Sequence, residues 1–316
     1  MLPLSARSNI LQARRIPCLP FHPANSAKVT LKNTYYSFTG RHRKDCNMEK
    51  KGTSSTSTSV EQGQARICFE RIIPDELDPE RKARRAMREF MAANSRGALN
   101  PEDIERFTRM ALVNSKKWRP GSTLKCRFLD GSATMKRKVE AIAHKWEEYS
   151  NIKFEFVPAG QAEIRISFFA DAGSWSAVGR DALNRLYFPM HQPTMNYGWL
   201  RDDTDDEEYS RVVLHEFGHA LGCVHEHQQP NFNRVWNQEA VMRYFQGPPN
   251  FWPPEEIKHN VLEKYSSNGM SATRFDPKSI MLYEFDARLF SDGLGPTNTN
   301  SKLSEMDVEM IRSMYP

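Results

Sequence analysis

Cysteine is scarce in this chain. There are five in 316 residues, an odd number and widely spaced. A disulfide-built scaffold is excluded, and the thiols are expected to be mostly free. No apolar run approaches the ~18 residues a membrane-spanning helix needs, which excludes such a helix. No acidic residue precedes Asp45. The first 50 residues hold nine lysines and arginines against two acids, a local charge of +7, while the remainder carries 35 against 37, or −2. The net charge of +5 therefore belongs to a tail. A nucleic-acid-binding domain would carry positive charge on its folded body, so no nucleic-acid partner is expected.

Residues 1–65 read as a basic leader and linker, expected to be disordered. Arg7, Arg14, Arg15, Lys28 and Lys32 recur among Ser, Asn and Pro, the composition of a mitochondrial transit peptide. Prolines 3, 17, 20 and 23 interrupt any amphipathic helix there and favour a plain basic tail. No secretory apolar core follows the N-terminus, which favours an intracellular location. Met48 is an alternative start. Residues 52–64, GTSSTSTSVEQGQ, have too little apolar surface to order themselves. Residues 66–116 read as a helical extension. Ala83, Met87, Phe90 and Met91 form one stripe, and Asn100 with Pro101 opens a second helix carrying Ile104, Phe107 and Ala111.

From Trp118 onward strands and helices alternate. Leu124–Leu129, Ile152–Val157 and Ile164–Phe169 read as strands, Met195–Leu200 as a weaker one, and Val139 through Tyr149 as a helix. The acids from Asp202 to Glu208 precede a further helix, with Thr204 and Glu207 at capping-box spacing. That helix runs into His215-Glu216-Phe217-Gly218-His219-Ala220-Leu221-Gly222-Cys223-Val224-His225-Glu226-His227. Four of the nine histidines fall within these thirteen residues.

His215 and His219 are one helical turn apart and project from one face, able to share a divalent metal. Glu216 is one step around, bordering the metal without ligating it, within reach of a water. Gly222 lets the chain leave through a left-handed cap, and His225 can then return to the same metal. Three imidazole nitrogens with open positions are the ligand set of a catalytic zinc site.

This extended pattern resembles that of the metzincin peptidases, and most of all the astacin-like branch of these zinc metalloendopeptidases. Glu226 directly after the third histidine matches the astacin pattern, where that glutamate is structural. Ser279-Ile280-Met281-Leu282-Tyr283 resembles the Met-turn, with a methionine beneath the zinc and Tyr283 matching a movable fifth ligand. Gly173 to Arg180 is similar to the edge strand above the family's cleft, and Leu303 to Tyr315 to its closing helix, for which Ser304 and Asp307 also have capping-box spacing. The resemblance covers residues 117–316.

The resemblance implies an α+β fold: a twisted, mostly parallel sheet with one antiparallel edge strand, an active-site helix, and a smaller irregular lower lobe ending in a C-terminal helix. It implies one zinc ion on His215, His219 and His225, Glu216 as general base, Tyr283 assisting at the oxyanion, and a protein or peptide substrate laid along the 173–180 edge. The aromatics Phe232, Trp236, Tyr244, Phe245, Phe251 and Trp252 belong to the lower lobe and read first as core.

The astacin disulfides have no counterparts, and neither a cysteine-switch sequence nor an F-x-G-D motif occurs, so latency by a propeptide is not expected. The alternatives are a zinc-containing peptide-binding protein without turnover, a matrixin- or serralysin-like peptidase, and a membrane- or nucleic-acid-associating module driven by the basic N-terminus. Glu216 and all three histidines being present argues against the first.

Overall fold

The computed structural model describes residues 67–71, 73, 89, 116–170, 173–248, 250–264 and 274–316. The leader and the two helices read within 80–111 lie outside the described residues, apart from Glu89. Among the described residues no helix is long and apolar enough to cross a membrane.

One six-stranded sheet organises the upper part. Its strands are β1 (Phe69–Arg71), β2 (Thr123–Phe128), β3 (Lys153–Phe156), β4 (Ile164–Ser167), β5 (Trp175–Ala177) and β6 (Met195–Asn196). They lie in the order β1-β5-β6-β4-β2-β3. All pairs are parallel except β5 with β6. The sheet is thus mostly parallel with one antiparallel strand. That strand is not outermost, because β1 pairs along its free side in the register Phe69↔Trp175, Glu70↔Ser176, Arg71↔Ala177. A strand therefore lies within the 66–116 span read as helical.

The helices start where polar side chains satisfy their open N–H groups. Ser132 caps α1 (Ala133–Ala143) by accepting from Met135 N at 3.1 Å. Asp205 caps α2 (Asp206–Ala220) by accepting from Glu208 N at 2.8 Å, with Asp206, Glu207 and Glu208 at the positive end of the dipole. The capping-box reading of Thr204 with Glu207 is off by one residue. Thr204 Oγ1 instead accepts from Arg201 N at 2.9 Å, closing the turn before the helix. In the lower lobe Asn237 caps α3 (Gln238–Gln246), which buries Val241 and Phe245. The expected box of Ser304 and Asp307 opens α4 (Glu305–Met314).

The main core joins Leu124, Cys126, Ile164 and Ile166 of the sheet to Val139 of α1, to Trp146 just after it, and to Val212 and Phe217 of α2. Trp146 is fully buried and donates to Leu214 O at 3.1 Å, fixing α2 against the chain that follows α1. Phe232, Phe245 and Trp252 are buried in the same core, as core packing predicts for them.

Two buried polar side chains shape the edge above the cleft. Asn196 accepts from Ser167 Oγ at 2.7 Å and donates to Phe169 O at 3.1 Å and Gly173 O at 2.6 Å, which sets the entry into β5. Arg165 donates to Ala162 O, Phe188 O and Gln192 O at 3.2, 3.0 and 2.7 Å, holding the loop that carries Phe188, and burial lowers its pKa to about 10.

Candidate metal centre

α2 positions two of the three histidines because residues four apart on a helix share a face. Its C-terminus is pinned from outside. Trp118 Nε1 donates to Ala220 O at 2.8 Å and Tyr315 Oη to Leu221 O at 2.5 Å. Gly222 then turns with φ of 96°, a left-handed conformation that suits glycine. The reversal brings His225 back beside α2.

The three ring nitrogens converge. His219 Nε2 lies 3.1 Å from His215 Nε2 and 3.0 Å from His225 Nε2. The potential ligand atoms of this triad all lie within 4.8 Å of one another, and among the described residues it is the group of three or more His, Cys, Asp or Glu that could hold an ion. Each opposite nitrogen is committed. His215 Nδ1 donates to Ile280 O at 2.8 Å, His219 Nδ1 to Cys223 O at 2.9 Å, and His225 Nδ1 to Gln228 Oε1 at 3.1 Å. These bonds select the tautomer whose Nε2 lone pair faces the centre. Burial first, and then the neighbouring His219, push the pKa of His215 and His225 well below 6.5, so both are neutral ligands. Three neutral, converging imidazole nitrogens fit zinc.

Beneath them lies Met281. A Cβ added at Gly218 would come within 2.4 Å of Met281 Sδ, so the glycine inside α2 admits the methionine. Asp307 of α4 supports this turn, accepting from Ser279 Oγ at 2.7 Å and Ile280 N at 2.8 Å. Glu226 N donates to Met281 O at 2.9 Å, and the Glu226 carboxylate accepts from Asp276 N at 2.7 Å. Its position is structural, tying the third-histidine loop to the Met-turn. Cys223 is a buried thiol with Sγ 4.0 Å from Met310 Sδ, away from the triad. His227 Nε2 donates to Asn260 O at 2.9 Å and is not in the triad.

Glu216 is fully buried next to His215. Tyr283 is 2% exposed, with its ring centroid 4.3 Å from that of His225 and its hydroxyl in contact with His225 Nε2. The spacing in the sequence brings all five expected site residues together.

A sixth residue joins them that sequence reasoning did not place. Cys68, just before β1, has its carbonyl on the Tyr283 hydroxyl and its thiol close enough to Glu216 to feel the carboxylate's charge. Burial, and then the Glu216 charge, raise the thiol's pKa well above 9.0, so the thiol is protonated. The chain's own Cys68 thus lies against the groups expected to do chemistry. The available signal was the short apolar run Ile67, Cys68, Phe69. Asp307 and Gln228 were likewise not assigned to the site, because their roles depend on loops that meet only in the fold.

The matrixin peptidase family matches residues 117–240. A solved structure of myroilysin is 39% identical, covers 65% of this chain and 97% of its own, and superposes with a TM-score of 0.61. The zinc metalloproteinase nas-30 of Caenorhabditis elegans is 23% identical over 215 residues, which are 65% of this chain and 26% of that protein. The SpAN protein of Strongylocentrotus purpuratus is 26% identical over 187 residues, 54% of this chain and 26% of its own length. The chain spans about a quarter of the length of these two relatives. On the likeness to myroilysin, and on the three-histidine zinc site that the shared region contains, the chain belongs to the metzincins, the zinc metalloendopeptidases.

Proposed function

We propose that this chain hydrolyses internal peptide bonds of protein substrates, with Glu216 as general base and Tyr283 as hydrogen-bond donor to the developing oxyanion, in the manner of the astacin-like branch. The observation that carries this is the convergence of His215, His219 and His225, with Glu216 buried beside them and the Tyr283 hydroxyl at His225. Zinc held by the three histidines supplies Lewis acidity and lowers the pKa of water toward neutrality. Glu216 takes a proton from the attacking water and returns it to the leaving amine. The phenol of Tyr283 donates to the carbonyl oxygen as charge develops there, and its bond to the Cys68 carbonyl supports that role, since a peptide carbonyl already occupies the place. Tyr283 two residues beyond Met281, and Glu226 after His225, favour the astacin-like over the matrixin-like assignment. The described cysteines, Cys68, Cys126 and Cys223, are buried free thiols, which supports an intracellular location.

The test is Glu216→Ala in the full chain, alone and with Cys68→Ala, which removes the thiol from Glu216. Glu216→Ala is expected to keep about one equivalent of zinc and to lose several orders of magnitude in hydrolysis of an unstructured protein. Near-native turnover by that variant would overturn the assignment of the base. A zinc-loaded chain beginning after Ile73 that folds and still cleaves nothing would overturn the endopeptidase reading.

A further inference from the structure

We propose that the groove along β5 is a recognition site for an extended peptide that presents an aromatic, a basic and an aliphatic side chain at alternating positions, with Phe69, Arg71 and Ile73 as its resident occupant. The inference rests on the endopeptidase reading and names the substrate class of the same site.

Backbone pairing on β5 is blind to sequence. Phe69 N donates to Ser174 O at 3.1 Å, and the rungs continue to Arg71. Selectivity has to come from alternate side chains, which point the same way along a strand. Each of the three alternate residues has its own surroundings. The Phe69 ring meets Trp252 edge-on at 5.7 Å, and a Cβ at Gly173 would lie 2.7 Å from it, so the slot exists because residue 173 is glycine. The Arg71 guanidinium lies 4.6 Å over the Trp175 ring and 5.7 Å from that of Tyr187. Its charge also acts on the exposed carboxylate of Glu256. Two aromatic faces form a slot for a cation, with the Glu256 carboxylate within range of its charge. Ile73 is 3% exposed in a small apolar cluster, separate from the main core, with Trp175, Ala177, Ala182 and Phe188.

The resident's backbone also crosses the reacting groups, through Cys68 on Tyr283 and Glu216. A peptide that is to be cleaved must displace it, and does so best by satisfying the same three surroundings. A strand bound in either sense presents alternate side chains to them, in one order or the reverse.

The experiment uses the zinc-loaded full chain and a labelled peptide of the sequence 66–74 (RICFERIIP), read by fluorescence anisotropy. Arg71→Glu weakens the resident. The peptide is expected to bind that variant about 2- to 30-fold more tightly than it binds the unsubstituted chain, the range of a cation–π contact. A peptide carrying Glu in place of its second arginine is expected to bind the Arg71→Glu chain more weakly by a similar factor. Adding Glu256→Lys is expected to shrink or invert that preference, which a purely structural role for β1 would not do. Because Glu256 is exposed, Glu256→Lys alone serves if Arg71→Glu fails to fold: it loosens the resident arginine and is expected to bind the Glu-bearing peptide at least as well as the arginine peptide.

Equal binding of both peptides, or a preference untouched by Glu256→Lys, would overturn the inference. Binding needs no turnover. Selective binding by a chain that cleaves nothing supports this inference while sinking the endopeptidase reading. Cleavage of an unstructured protein without peptide selectivity does the reverse.

Discussion

The Tyr283 hydroxyl donates to the carbonyl of Cys68, 215 positions earlier in the chain. The same hydroxyl touches His225, so a backbone carbonyl of the protein itself stands where a substrate carbonyl is expected. Tyr283→Phe keeps the ring and its contacts with His215 and His225 and deletes the hydroxyl. In a Cys68→Ala background, which separates turnover from the thiol contact, it should lower kcat by about 10²–10³ with little change in KM or zinc content. Steady-state kinetics with metal analysis check this, and an unchanged kcat removes Tyr283 from the chemistry.

Gly218→Ala sets two effects against each other. Alanine favours a helix interior by about 1 kcal/mol over glycine. Its methyl would, however, sit 2.4 Å from Met281 Sδ. Overpacking typically costs 1–3 kcal/mol, and the methionine is held at both its carbonyl and its neighbour Ile280. Net destabilisation by about 1 kcal/mol or more is expected, seen as a lower denaturant midpoint at unchanged m-value. A more stable variant would mean that the Met-turn yields easily.

Asp307 reaches the metal centre through the backbone. It holds Ile280 N, and Ile280 O accepts from His215 Nδ1. Asp307→Asn replaces one acceptor oxygen by a donor facing N–H or O–H groups. It should lower zinc affinity by roughly 10- to 100-fold, the range seen when partners of metal-ligating histidines are removed. Competition with a chromophoric chelator measures this. A loss of stability at full zinc affinity would reduce Asp307 to the helix cap it also is.

Stripping the metal should lower thermal stability without unfolding the chain, since the main core does not depend on the site. At a free zinc concentration ~1,000 times Kd, binding contributes about 4 kcal/mol. At about 2–4 °C per kcal/mol, Tm should fall by roughly 10 °C on chelation and recover on adding zinc. The metal-free protein carries a pH dependence of known sign. His215 and His225 have native pKa values well below 6.5, so the unfolded state binds protons that the native state does not as pH falls through 6.5. Stability is therefore lost toward acid pH. Scanning calorimetry between about pH 7.5 and 5 checks this, and a metal-free chain that gains stability on acidification contradicts the burial of neutral imidazoles.

Much of the site was legible because its geometry is local. His215, Glu216 and His219 lie on one helix, and Gly222 marks the exit that returns His225. Where local chemistry had two solutions, the sequence was ambiguous. Thr204 and Asp205 are both good caps, and Asp205 takes the helix because the Thr204 hydroxyl already closes a turn onto Arg201. The lower lobe read as irregular, yet Asn237 caps a two-turn helix there. Short helices depend on tertiary packing, here of Val241 and Phe245, more than on propensity.

By itself the spacing along one helix and its glycine exit determined the ligand set and placed Glu216 beside it, while the methionine below and the mostly parallel sheet came through the resemblance to the metzincins. Only the tertiary structure decided that β1 covers β5, that Cys68 reaches Glu216 and Tyr283, and that Asp307 steadies His215. Strand pairing exposes the same N–H and C=O groups on every edge, so the pattern of β1 does not name its partner. The choice is made by distant side chains, Trp252, Trp175 and Phe188, which become neighbours of Phe69, Arg71 and Ile73 only once the domain has closed around α2.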